Sequence, residues 1–229
     1  MLTLSMFQCM VKLEHDVNLR TLWRSLEATS LVICAHPPGQ LGIYLTYMNC
    51  VENELYQIGS LSIKTKVCEG SINISMLIFK NGRVKVSGGL GKMECDKTLT
   101  DIEFSLFFNE TILFPVMQIV FGFLDKDQYV LQKKNINASM KMTKTIGKEL
   151  FLEFLDRLST RFNHNSITLP EIMQRDGKRR GRICAVKVKN VTGKAGSFAV
   201  DHGGKVQFFA YSSIDDLKSH TEDLFSIWS

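Results

Sequence analysis

The stretch SMLIFKNGRVKVSGG (Ser75–Gly89) returns as SFAVDHGGKVQFFAYSS (Ser197–Ser213), and that recurrence limits what this chain can fold into more than any other feature. Each copy reads as strand, tight turn and strand, with a turn glycine at Gly82 and again at Gly204. The match extends outward from the hairpins. LSMFQCMVKL (Leu4–Leu13) and VLQKKNINASMKM (Val130–Met142) read as opening strands, at an offset of 129 residues that sets Lys12 against Lys141. A helix follows each: Leu19, Leu22, Trp23 and Leu26 make one stripe, and Leu150, Phe151, Phe154, Leu155 and Leu158 make the other. Strand candidates SLSIKTK (Ser60–Lys66) and RICAVKVK (Arg182–Lys189) precede the hairpins, which superpose at an offset of 122.

Each hairpin leads into a further helix. The first opens on Thr100-x-x-Glu103, and the second on Ser213-x-x-Asp216, an Asp variant of the same capping box. The unit is therefore strand, helix, strands, helix, present twice. Residues 1–125 and 126–229 are expected to form the two halves of one intramolecular pseudo-dimer, an α+β domain with an antiparallel sheet under helices.

Charge is divided between the halves. Residues 1–125 carry 10 Lys and Arg against 12 Asp and Glu, whereas residues 126–229 carry 18 against 11. A basic half points to an anionic partner or to a solvated surface. Six cysteines and five histidines show neither CxxC spacing nor clustering, which argues against a zinc site or disulfide framework and for reduced thiols. Sequons at Asn73, Asn109, Asn137 and Asn190 follow an N-terminus that does not read as a secretory signal, and are expected to be chance matches. The apolar run Ile112–Leu124 contains Pro115, is short for a bilayer span, and reads as buried core, so no membrane partner is expected. GGLGK (Gly88–Lys92) lacks the spacing of a phosphate loop, and Cys34 near His36 has no apparent third group to orient it. Neither an enzyme nor a cofactor is expected.

With the repeat established, LIF (Leu77–Phe79) followed by Gly82-Arg83-Val84 and then SGG resembles the signature of the TATA-binding protein family. KKNINAS (Lys133–Ser139) is similar to the opening strand of that family's second repeat, and NLRTLWRSLEAT to its first helix. The resemblance covers nearly the whole chain at low identity, as in the divergent members that large DNA viruses encode. It implies a pseudo-twofold saddle: a curved antiparallel sheet whose concave face lies in the minor groove of A/T-rich promoter DNA, with helices on the convex face meeting transcription factors or RNA polymerase. It also implies action in the nucleus, or in a viral factory or virion if viral. The alternative is the same fold used as a protein-interaction module in a transcription complex.

Mapped by alternation along strands, the resemblance assigns Leu77, Phe79, Lys85 and Ser87 to the DNA face of the first hairpin. In the second hairpin one extra glycine is expected in the turn, so Phe198, Val200, Gln207 and Phe209 take that face. Met6 and Gln8 take it on the first opening strand, and Asn135 and Asn137 on the second. Asn135 falls where the family reads minor-groove acceptors with an amide, and Phe79 where it intercalates a phenylalanine. Lys64, Lys66, Lys187 and Lys189 are candidate phosphate contacts, as is the run from Arg175 to Arg182. The chain departs from the family at Met6, at Ile58 and Gly181, and at Val200, where an asparagine or phenylalanines would stand.

Overall fold

The computed structural model describes residues 1–33, 43–48, 60–67, 72–96, 98–122, 125–143, 148–162, 167–168, 186–189, 196–201 and 203–228. The Arg175–Arg182 run, the Cys34 and His36 pair, Ile58 and Gly181 lie outside them. Among the described residues the strands are β1 (Leu2–Leu13), β2 (Ile43–Met48), β3 (Ser60–Val67), β4 (Ile72–Phe79), β5 (Arg83–Cys95), β6 (Tyr129–Lys141), β7 (Ile167–Thr168), β8 (Val186–Lys189), β9 (Ser197–Val200) and β10 (Lys205–Tyr211). The four longer helices are α1 (Leu19–Ile33), α2 (Asp101–Phe121), α3 (Lys148–Arg161) and α4 (Ile214–Trp228).

The chain divides into two compact units, and neither is one continuous segment. The N-unit comprises Met6–Lys92 and Ile102–Lys134; the C-unit comprises Met1–Ser5, Met93–Asp101 and Asn135–Ser229. Strand order runs β2-β3-β4-β5-β1 in the first and β7-β8-β9-β10-β6 in the second, so the same topology is built twice. Pairing is antiparallel in both.

The turns repeat bond for bond. Gly82 N–H donates to the Phe79 carbonyl at 3.0 Å, and Gly204 N–H to that of Asp201 at 2.9 Å. Leu13 N–H donates to the Gly82 carbonyl and Met142 N–H to the Gly204 carbonyl, both at 2.8 Å. Gly82 and Gly204 have φ of 72° and 76°, a left-handed conformation that glycine adopts without a Cβ penalty.

Why one sheet face is buried follows from period-two alternation. In the N-unit Phe7, Cys9, Val11, Ile74, Met76, Ile78, Val84 and Val86 are buried on the helix side. Phe108 of α2 meets Phe7 edge-on at 4.8 Å between ring centroids. Each such side chain contributes about 1.5–3 kcal/mol on burial. Length and composition alone would let α2 cross a bilayer. Its Phe104, Phe108, Ile112, Leu113, Val116, Met117 and Val120 are buried in the protein while Ile102, Leu106 and Ile119 are exposed, so one face of α2 packs on the core. Pro115 explains the widened turn within it. Proline lacks an N–H and its ring crowds the carbonyl four residues back; the stretch Phe108–Leu113 relaxes into π geometry, with Phe114 N–H donating to the Asn109 carbonyl.

In the C-unit the corresponding core is aromatic. Phe198 packs against Phe208 at 6.0 Å and Phe162 at 5.4 Å, while Phe154 meets Trp228 edge-on at 4.8 Å. The Ser213 hydroxyl accepts from Asp216 N–H, as an N-cap should. The carboxylate that answers it is that of Asp101 rather than Asp216: Asp101 accepts the Ser213 hydroxyl at 2.6 Å and the Ile214 N–H.

His220 of α4 bonds through Nδ1 to the Tyr211 hydroxyl at 2.7 Å, between the rings of Phe162 and Phe198. Burial lowers its pKa from the usual 6.5; Asp223 and Asp216 oppose that shift and Arg161 adds to it. The unfolded chain therefore takes up this proton before the folded one does, and stability is lost as pH falls below about 6.5. Urea midpoints at pH 7.5 and 5.5 are expected to separate more for the wild type than for His220→Gln. Equal separation would remove His220 from the titration.

Candidate nucleic-acid interface

Opposite the helices, each unit presents a sheet face of half-buried or exposed residues. In the N-unit it holds Met6, Gln8, Lys64, Ser75, Leu77, Phe79, Lys85 and Ser87, in agreement with the alternation read from the sequence. Cross-strand register sets Lys64 beside Ser75 and Ser75 beside Ser87, with Ser62, Leu77 and Lys85 in the next row. Phe79 ends β4 opposite Ser60 and immediately before the turn. Lys66 pairs with Asn73 toward the end of β3.

In the C-unit the expectation fails for two residues. Phe198 is 1% exposed and Val200 0%, so both belong to the core and not to the open face. The second turn has no extra glycine. Val200 pairs with Val206 as Ile78 pairs with Val84, six residues apart in each hairpin. The offset of 122 therefore holds across the whole hairpin, and Ala199 and Asp201 stand where the first repeat has Leu77 and Phe79. Gln207 and Phe209 do lie on the open face, exposed and half-buried respectively, opposite Ala199 and Ser197. Lys187 and Lys189 of β8 pair with Ala199 and Ser197, so Lys189–Ser197 repeats the pairing of Lys64 with Ser75.

Asn135 and Asn137 are half-buried on the open side of β6, between buried Ile136 and Ala138. Their situations differ. Asn137 Oδ1 accepts the Ala210 N–H at 2.8 Å. That bond holds a β-bulge between Phe208 and Tyr211, in which Ala210 has φ of 60°. Phe209 faces outward by plain alternation with Phe208, and the extra residue of the bulge, exposed Ala210, returns Tyr211 to the buried side. Asn137 is thus a structural residue whose amide oxygen is taken up by its own sheet.

The electrostatic pattern is sharper than the sequence halves suggest. Among the described strands the one carboxylate is Glu94, whereas Lys12, Lys64, Lys66, Arg83, Lys85, Lys92, Lys133, Lys134, Lys141, Lys187, Lys189 and Lys205 are all strand residues. Most described carboxylates lie on helices: Asp101, Glu103 and Glu110 on α2, whose own sequence holds no lysine or arginine, and Asp215, Asp216, Glu222 and Asp223 on α4 beside Lys218, with Asp223 paired to Arg161 of α3 at 2.6 Å; α1 and α3 carry both signs. Lys141 even stands directly opposite Lys205 across β6 and β10. Like charges so placed repel, and an anionic partner relieves that repulsion. Lys134 is a different case, since its ammonium bonds Ser105 at 2.7 Å and lies 5.0 Å over the Phe104 ring.

Sequence reading missed Lys12, Arg83, Lys141 and Lys205 as face residues. Their signal was present: each alternates with a buried apolar neighbour, as Lys141 does with Met140 and Met142.

No protein family's sequence profile matches this chain, and no curated protein matches it in sequence. Among solved structures, Methanococcus jannaschii TBP is similar, with a TM-score of 0.52 at 10% identity over 99% of this chain and 97% of that one. At that identity the likeness concerns the fold alone: this chain has the α+β, antiparallel-sheet fold of TBP.

Proposed function

We propose that the open sheet face of this protein binds A/T-rich duplex DNA through the minor groove, as a transcription initiation factor that also engages other transcription factors or RNA polymerase. The observation that carries this reading is the separation of charge, with lysines and arginines on the strands and nearly every described carboxylate elsewhere. Phosphates lining a groove attract such a face and repel the acidic helices α2 and α4. The TBP-like fold supports the same reading by analogy. Asn135 serves as the amide that reads adenine N3 and thymine O2, and Lys64, Lys66, Lys187 and Lys189 contact phosphates. Phe79 and Leu77 act as the wedge.

The wedge is one-sided. Ala199 and Asp201 replace Leu77 and Phe79 in the second repeat, and the Asp201 carboxylate is held by the Lys205 N–H at 2.9 Å. That asymmetry favours, as a second reading, an interaction module with weak DNA binding. Titration of A/T-rich and G/C-rich duplexes separates the two. The wild type is expected to prefer A/T, and Asn135→Ala to reduce that preference with little change in binding to G/C. An unchanged preference would remove Asn135 as a reader, and no binding to either duplex would leave only the interaction module.

A further inference from the structure

A cavity of about 670 Å³ opens in the C-unit between the ends of β1 and β5 and one side of α4. That volume lies within the roughly 300–1,000 Å³ typical of ligand pockets. Its floor is apolar, made by buried Leu2 and Cys95, and Phe225 of α4 stands at its mouth 44% exposed. Burial raises the Cys95 thiol pKa, so the floor is uncharged.

The rim has the opposite character. Glu94, Asp96 and Glu222 are all exposed there. Hydrogen bonds from Thr98 and Leu99 hold the Asp96 carboxyl below its usual range, so it stays ionised. Among the described residues the lining has one cationic side chain, Lys218, whose ammonium is given to the Leu99 carbonyl at 2.5 Å, and the amino group of Met1 borders the cavity as well, against three carboxylates. An apolar floor inside an acidic rim is unsuited to a phosphate backbone, which the carboxylates repel. It is complementary to a bulky apolar side chain carried between lysines or arginines.

We infer that this cavity docks a short segment of a partner protein in which one or two large apolar residues are flanked by basic ones. The apolar group covers Phe225 and fills the floor above Leu2 and Cys95, while its basic neighbours face Glu94 and Glu222. This rests on the function proposed above only in taking the partner to belong to the transcription machinery; the docking chemistry stands without it.

The test is fluorescence polarisation with three labelled peptides, RRLFRR, RRSSRR and EELFEE, on the full chain. RRLFRR is expected to bind saturably, with RRSSRR and EELFEE weaker by about tenfold or more. The double variant Glu94→Lys/Glu222→Lys, which changes exposed side chains, is expected to weaken RRLFRR by about tenfold, equivalent to about 1.4 kcal/mol. Binding of an A/T-rich duplex by that variant should not weaken. Absence of RRLFRR binding, equal binding of RRSSRR, or indifference to the double charge reversal would each overturn the inference. Peptide binding retained by a protein that binds no DNA would instead count against the DNA-binding reading alone.

Discussion

Phe198→Ala is expected to lose about 3–5 kcal/mol of unfolding free energy, the range for removing a buried phenylalanine ring. The residue is 1% exposed and touches Phe208, Phe162 and His220, so the variant leaves a cavity inside the aromatic core of the C-unit. Phe79→Ala provides the contrast. Phe79 is half-buried on the open face, opposite the described helices, and its loss should cost no more than about 1 kcal/mol. Urea unfolding of the two variants beside the wild type measures this directly. Nearly equal losses would mean that Phe198 shares the open face after all, and the second repeat would regain an aromatic on its binding side.

That pair of residues also shows where sequence reasoning stopped. The repeat, the strand–helix order and the open face of the first hairpin were legible because LIFKNGRVKV alternates cleanly around a turn with one obvious glycine. In the second hairpin Asp201-His202-Gly203-Gly204 offers two glycines. Counting one as an insertion slid Phe198 and Val200 by one position, which in a strand exchanges the two faces. The apolar partners Val206 and Phe208 contained the answer, because paired residues of an antiparallel hairpin share a face. The short strands Ile43–Met48 and Ile167–Thr168 escaped notice because neither has a marked alternation of its own. The structural role of Asn137 was not legible, because it depends on a bulge 73 residues away in sequence.

The second large effect is electrostatic. Replacing Lys64, Lys85, Lys187 and Lys189 by alanine is expected to flatten the dependence of log K on log salt by about 0.9 for each phosphate no longer neutralised. Affinity at low salt should fall for A/T-rich and G/C-rich duplexes alike, since phosphate contacts carry no base preference. Lys64 is exposed beside Ser75 and Lys85 lies beside Leu77, so neither holds the core, and circular dichroism should report an unchanged fold. The acidic helices make a useful control: neutralising Glu222 and Asp223 on α4 should leave the slope as it is. A slope unchanged by the four lysine substitutions would place the DNA contact, if any, away from the strands.

A working factor of this kind must both grip and bend a duplex with its open face. The decisive measurement is energy transfer between dyes at the two ends of a short A/T-rich duplex, recorded with affinity over a range of salt for the wild type and Phe79→Ala. Wild-type binding is expected to weaken steeply with salt and to bring the ends closer together. Phe79→Ala is expected to keep most of the affinity and lose most of the shortening. No binding at low salt, or binding in which the ends keep their distance for both proteins, would contradict this reading.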